Sequence, residues 1–162
     1  MKQIILLATL VCCACGPAKV SKRETEPLPR DFKMTFKNLP IDSTAHVSLA
    51  SIFGLGNPAD GKVSIGFDHQ GDLKLSCKNN LGGDYFVAYK GKSKKNSYEI
   101  FLRRKRIPFY PFYAITDVSR VRLRLKRDST LVVDHYWNRS GMILVVAAGH
   151  SSKMQYQFNK VK

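Results

Sequence analysis

Arg120-Val121-Arg122-Leu123-Arg124-Leu125-Lys126 alternates a cation with an aliphatic side chain without a break. Successive side chains on a strand point to opposite faces, so this stretch reads as a half-buried strand with Val121, Leu123 and Leu125 inward and four cations outward. The period of two recurs on both sides of it. Upstream, Val63, Ile65 and Phe67 alternate with Ser64 and Gly66, Leu73, Leu75 and Cys77 share a face, and Tyr98, Ile100 and Leu102 alternate with Glu99, Phe101 and Arg103. Tyr85, Val87 and Tyr89 oppose Phe86 and Ala88, a strand apolar on both sides. Downstream, residues 130–137 and the wholly apolar 142–147 read as strands, and Met154, Tyr156 and Phe158 share one face of a closing strand.

Turn chemistry separates these runs at His69-Gln70-Gly71-Asp72, at residues 79–84, at Asp128-Ser129, at Asn138-Arg139-Ser140-Gly141 and at residues 149–152. Residues 45–52 fit either a first strand or a short helix, and no segment sustains a 3.6-residue apolar stripe. The expected fold is all-β, either an antiparallel β-sandwich or a small lipocalin-like barrel of seven to nine strands. A barrel would enclose a ligand cavity, whereas a sandwich would fill its middle with side chains.

The 162 residues suffice for one ordinary domain, and 44% apolar content excludes a fully disordered chain. No repeat, heptad run or collagen period is visible, which excludes solenoid and fibrous classes. Lys2 followed by the apolar residues 4–11 is too short to span a bilayer and reads as an export signal. Residues 16–30 contain Pro17, Pro27 and Pro29 with mixed charges, which predicts a flexible tether before a single β domain over residues 31–162.

Leu10-Val11-Cys12-Cys13 and Cys12-Cys13-Ala14-Cys15 both resemble the lipobox of bacterial lipoproteins. In that motif a Leu and small residues precede a Cys that takes acyl chains such as palmitate and becomes the new N-terminus. Cys13 has the better residues at minus three and minus two, and Cys15 the better small residue before it. The resemblance makes residues 1–15 a lipoprotein signal peptide and implies membrane attachment in the bacterial cell envelope, on the periplasmic face of the outer membrane. It implies an anchor and no activity. The acidic cluster that follows the Cys in some Bacteroidetes-type lipoproteins is missing here, since residues 19–26 mix Lys19, Lys22 and Arg23 with Glu24 and Glu26. Cys77, the one thiol beyond this region, has no partner for an intradomain disulfide and reads as a buried inert thiol.

From Gly16 onward 26 Lys plus Arg face 12 Asp plus Glu. The excess gathers at Arg103, Arg104, Lys105 and Arg106 and at Arg120, Arg122, Arg124 and Lys126, which as neighbouring strands would form an electropositive face. Arg120, Arg122, Arg124, Lys126, Arg103 and Lys105 are therefore the candidate anion-binding residues. The face suits a solvated surface near anionic headgroups or an anionic envelope polymer. Nucleic acid is not an expected partner, because export removes the chain from it. Phe109, Tyr110, Phe112 and Tyr113 crowd around Pro111, which excludes a central strand and predicts an edge strand or loop: an aromatic patch for a sugar, acyl chain or protein, or a cap on the core.

Catalytic chemistry has little support. His46, His69, His135 and His150 have no second His at helical ligand spacing, and Asp134 and His135, being adjacent on a strand, point to opposite faces. No Gly-x-Ser-x-Gly, dinucleotide loop or short-range carboxylate pair occurs, so no catalytic residue, cofactor or metal is named. The expectation is a non-enzymatic, membrane-anchored binding or scaffolding lipoprotein whose partner is an anionic envelope polymer, lipid headgroup or envelope protein. A lipocalin-like carrier of a small apolar ligand and an enzyme modifying envelope glycan or lipid are the alternatives.

Overall fold

Burial follows the alternation that the sequence displays: Val121 and Leu123 are fully buried, as are Val63, Ile65, Leu73 and Leu75. The computed structural model describes residues 20, 24–26, 28–29, 31–42, 46–109, 112–144 and 146–161. Cys13 and Cys15, the rest of the expected signal, and Tyr110 lie outside the described residues. The described elements are β1 (Thr25–Glu26), β2 (Lys33–Lys37), α1 (Leu49–Ile52), β3 (Lys62–Phe67), β4 (Leu73–Lys78), β5 (Asp84–Tyr89), β6 (Gly91–Lys94), β7 (Ser97–Phe109), β8 (Tyr113–Lys126), β9 (Leu131–Ile143) and β10 (Val146–Phe158). No described helix is long and apolar enough to cross a membrane.

The strands form two antiparallel sheets, one in the order β2-β3-β4-β5 and one in the order β10-β9-β8-β7-β6, with β1 added beside β8. They pack as a β-sandwich, and this resolves the choice against a barrel. Phe36, Ile65, Leu73 and Leu75 of the smaller sheet meet Ile100, Leu123, Leu131 and Phe158 of the larger, with Leu49 and Phe53 closing one side. These side chains fill the space between the sheets, where a barrel would have held a ligand.

The two sheets differ in length. Strands β7 to β10 run 13 or 14 residues, whereas β2 to β5 run five or six. At about 3.3 Å per residue the larger sheet reaches roughly 20 Å beyond the smaller one. The projecting half carries polar side chains on both faces because no second layer covers it.

That projection corrects the expected turns at residues 138–141 and 149–152. Asn138 to Gly141 pair with Val118 to Ile115 on one side and with Ser151 to Ala148 on the other, so both segments lie within continuous strands. The chain reverses instead inside the apolar run 142–147, between Ile143 and its partner Val146. A two-residue hairpin needs left-handed backbone at its first central position, and Leu144 adopts φ 56° there.

Part of the segment expected as a tether, residues 16–30, packs on the domain. Thr25 and Glu26 pair with Lys126 and Leu125 of β8, and Leu28 is buried in the core. Residues 49–52 take the helical option, with Ser48 and Ser51 forming a reciprocal capping box. The aromatic run does end an edge strand. β6 pairs only with residues 97–100 of β7, so Pro108 lies where β7 has no described partner on its outer side.

Candidate anion-binding groove

Parity along β8 separates the expected anion-binding residues into two groups. Arg120, Arg122, Arg124 and Lys126 share the outer face of the larger sheet, whereas Arg103 and Lys105 stand opposite Ser119 and Asp117 on the inner face. A bulge between Phe101 and Arg103 shifts the parity of β7 and turns Arg103 inward.

The outer cations are largely engaged within the protein. Arg124 is 5% exposed, donates from Nη2 to Asp134 Oδ2 at 2.8 Å and from Nη1 to Thr25 Oγ1 at 3.3 Å, and is covered by β1. This geometry corrects its expected role: a buried and paired guanidinium holds β1 to the sheet and cannot collect a ligand. Arg120 and Arg122 converge on Glu99 Oε1 at 2.9 and 3.4 Å, and Lys94 bonds the second oxygen of the same carboxylate. Burial alone would raise the Glu99 pKa, but the Lys94 hydrogen bond and the charges of Arg122 and Arg120 outweigh it and hold the carboxyl below its ordinary value. Lys126 donates to Gln157 Oε1 at 3.4 Å.

The inner face behaves differently. Where the larger sheet emerges from under the smaller one, an open groove of about 690 Å³ lies between α1, the end of β5 and strands β7 to β10. The phenol of Tyr89 donates to Phe53 O at 2.6 Å and fixes one wall. Trp137 and His135 form the floor with ring centroids 5.2 Å apart. Arg103 and Arg139 reach Asp117 Oδ2 from two sides, at 3.1 and 3.8 Å, yet both remain well exposed at 58% and 72%. His150 of β10 stands opposite Arg139 of β9. Among the described residues Asp117 is the one acid lining the groove, so two guanidiniums share a single carboxylate and retain donors for an incoming anion.

Sequence reasoning named Arg103 and Lys105 but missed Trp137, Tyr89 and Arg139. The signal was present in the alternation, because Asp117 and Ser119 share the parity of Val121 and Leu123. Polar residues on core parity mark the place where a strand leaves the core.

Ser119 Oγ and His135 Nε2 lie 3.0 Å apart on the same floor, the distance of a nucleophile and its base. Burial holds the His135 pKa below its ordinary value. The neighbouring carboxylate, Asp134, is bound to Arg124 on the opposite face and does not orient the imidazole. Ser119 sits in mid-strand. The pair forms a hydrogen-bonded part of the groove floor. Among the described residues no group of three His, Cys, Asp or Glu could hold a metal ion. Burial raises the Cys77 pKa, which keeps the thiol protonated.

Phe109 and Tyr113 are paired at the far end of the projecting half, with Phe112 in the turn between them and its ring 5.8 Å from that of Phe109. The rings lie roughly 20 Å from the groove floor at Trp137, counting six strand residues. Groove and aromatic patch are thus separate sites on one sheet. Comparison with known proteins adds no further constraint: no family model, no curated protein and no solved structure matches this chain.

Proposed function

We propose that the chain is a non-enzymatic binding module of the bacterial cell envelope, held at a membrane through a lipidated Cys13 or Cys15, that recognises an anionic envelope polymer in the inner-face groove. The observation that carries this reading is that exposed Arg103 and Arg139 line one groove with the ring of Trp137, with Asp117 as the sole acid among the described lining residues. An aromatic floor accepts the apolar face of a sugar, and a pair of guanidiniums accepts a phosphate or carboxylate two-pronged. The groove is open along the sheet, which suits a segment of polymer better than an enclosed small molecule. The side chains packed between the two sheets favour this reading over a lipocalin-like carrier.

The test is a titration of the full chain with polygalacturonate, an anionic sugar polymer, and with uncharged dextran, across a salt series. Binding of the anionic polymer that weakens with salt, and at least tenfold in Arg103→Ser with Arg139→Ser, is expected. Arg122→Ser should leave it within twofold. Equal affinity for dextran, or equal loss in both variants, would remove the groove from consideration.

A further inference from the structure

The projecting half of the larger sheet ends in two hairpin tips that sit side by side. Tyr113 stands opposite Phe109 on one flank and opposite Ile143 on the other, and Ile143 stands opposite Val146. The backbone N–H of Leu144 donates to Phe112 O and ties the two turns together. Phe112, Ile143, Leu144 and Val146 are between 57% and 73% exposed. Few soluble surfaces present large apolar side chains so densely. Leu144 moreover holds the left-handed backbone that favours Gly or Asn, so an exposed leucine occupies the position least suited to it.

Behind the tips the chemistry changes at a fixed distance. Arg106 and Lys105 lie three and four residues behind Phe109, and Arg139 lies four behind Ile143, about 10 to 13 Å along the strands. Arg104 and Arg106 take the outer face, Lys105 and Arg139 the inner one, so the cations surround the sheet. Asp117 is the only acid within residues 102–119 and 137–152, against five Lys or Arg. The thickness of a headgroup layer matches this spacing: interfacial segments bury their apolar part about 5 to 10 Å deep, and cations then sit at the phosphates.

We infer that the paired hairpin tips dock into a bilayer surface rich in anionic lipid, with Phe112, Ile143, Leu144 and Val146 entering the acyl boundary and Arg104, Lys105, Arg106 and Arg139 meeting the headgroup phosphates. A second copy of the chain is the competing occupant, and charge argues against it. Each tip is ringed by the same cations on a chain of formal charge +15, so pairing tip to tip brings like charges together. The charged rows on both faces also limit insertion to the tips, because Arg103 to Arg106 cannot enter hydrocarbon.

The test uses the full chain carrying Leu144→Trp, with vesicles of phosphatidylcholine and phosphatidylglycerol at three to one and brominated acyl chains. Native Trp137 serves as the internal control, roughly 20 Å behind the tip. Quenching and a blue shift of the added indole, with Trp137 in the unsubstituted chain unquenched, is the expected result. Phe112→Ser with Val146→Ser should weaken vesicle binding about a hundredfold. Arg104→Glu with Arg106→Glu should weaken it at least tenfold, and only on vesicles containing phosphatidylglycerol. Vesicle binding without quenching of the tip indole overturns the inference, since another part of the chain then makes the contact. So does a concentration-dependent dimer that Leu144→Ser abolishes. Arg103→Ser with Trp137→Leu, both in the groove and neither at the tips, should preserve the quenching of the tip indole even where polymer binding is lost, which separates this inference from the groove.

Discussion

Replacement of Asp134 by Asn separates a structural cation from a ligand-binding one. Asp134 uses both oxygens, Oδ2 accepting from Arg124 at 2.8 Å and Oδ1 from Gln155 Nε2 at 2.7 Å. Asn presents a donor in place of one acceptor, so either Arg124 or Gln155 then faces another donor. Arg124 is buried and cannot turn to water. Breaking one side of such a pair costs about 3–5 kcal/mol, because the remaining charge stays desolvated. For a domain of this size that lowers Tm by roughly 10 °C or more. Glu99→Gln supplies the contrast: its partners Lys94, Arg120 and Arg122 are 51%, 29% and 31% exposed and can find water, so solvent screening limits the loss to about 1 kcal/mol. Removing both charges, in Arg124→Met with Asp134→Asn, should recover most of the stability lost by Asp134→Asn alone. Thermal and urea unfolding of these variants measures all three. A cost below about 1 kcal/mol for Asp134→Asn would refute the reasoning, because it would mean that Arg124 reaches solvent and remains available to an anion.

Leu144→Asn relieves left-handed strain and should stabilise the fold by about 1 kcal/mol in urea unfolding while weakening vesicle binding about tenfold, the two effects opposite in sign. Stability should also depend on pH in two windows. His135 has a folded pKa below its ordinary 6.5, so the stability it contributes is complete above that value and falls as pH drops through and below it; His135→Gln should flatten this part of the curve. Glu99 likewise has a folded pKa below 4.5, so its contribution is complete above pH 4.5 and is lost on further acidification, a loss that Glu99→Gln should remove. Urea midpoints between pH 3 and 8 would check both. Phe36→Ala, at a fully buried site facing the larger sheet, should cost about 3–5 kcal/mol and identify the shared core.

Alternation made the antiparallel all-β class legible and left sandwich and barrel open, since strands of either bury one face. Val63, Ile65, Leu73, Leu75, Val121 and Leu123 obey it because both sheets bury one face. Alternation also carried the split between Asp134 and His135, which the structure places on opposite faces. What escaped was length. Asn138-Arg139-Ser140-Gly141 has turn composition, yet a strand free of a second layer tolerates polar residues on both faces and simply continues. The apolar run 142–147 misled for the complementary reason, since apolar residues signal burial only when a layer exists to bury them. Arg124 was unreadable from local pattern, because its partner Thr25 comes from 99 residues away.

The unequal sheets give the molecule its functional logic. Burial shared between the two sheets ends near Val121 and His135, and beyond that row the larger sheet is held by its hydrogen-bonded ladder and by side-chain contacts such as Arg103 and Arg139 with Asp117. Such a segment loses the hydrophobic contribution that stabilises the rest, while its free β7 edge is exposed to pairing with other chains. Arg103, Arg104, Lys105 and Arg106 on that edge oppose such pairing by repulsion. That role accounts for cations on β7, which forms one open edge of the projecting half of the sheet as β10 forms the other. It does not account for Arg139 on interior strand β9, nor for apolar side chains at both tips. Those residues are costly to expose and unnecessary to the ladder, and they coincide with the two sites where a sugar polymer and a bilayer would each meet the sheet.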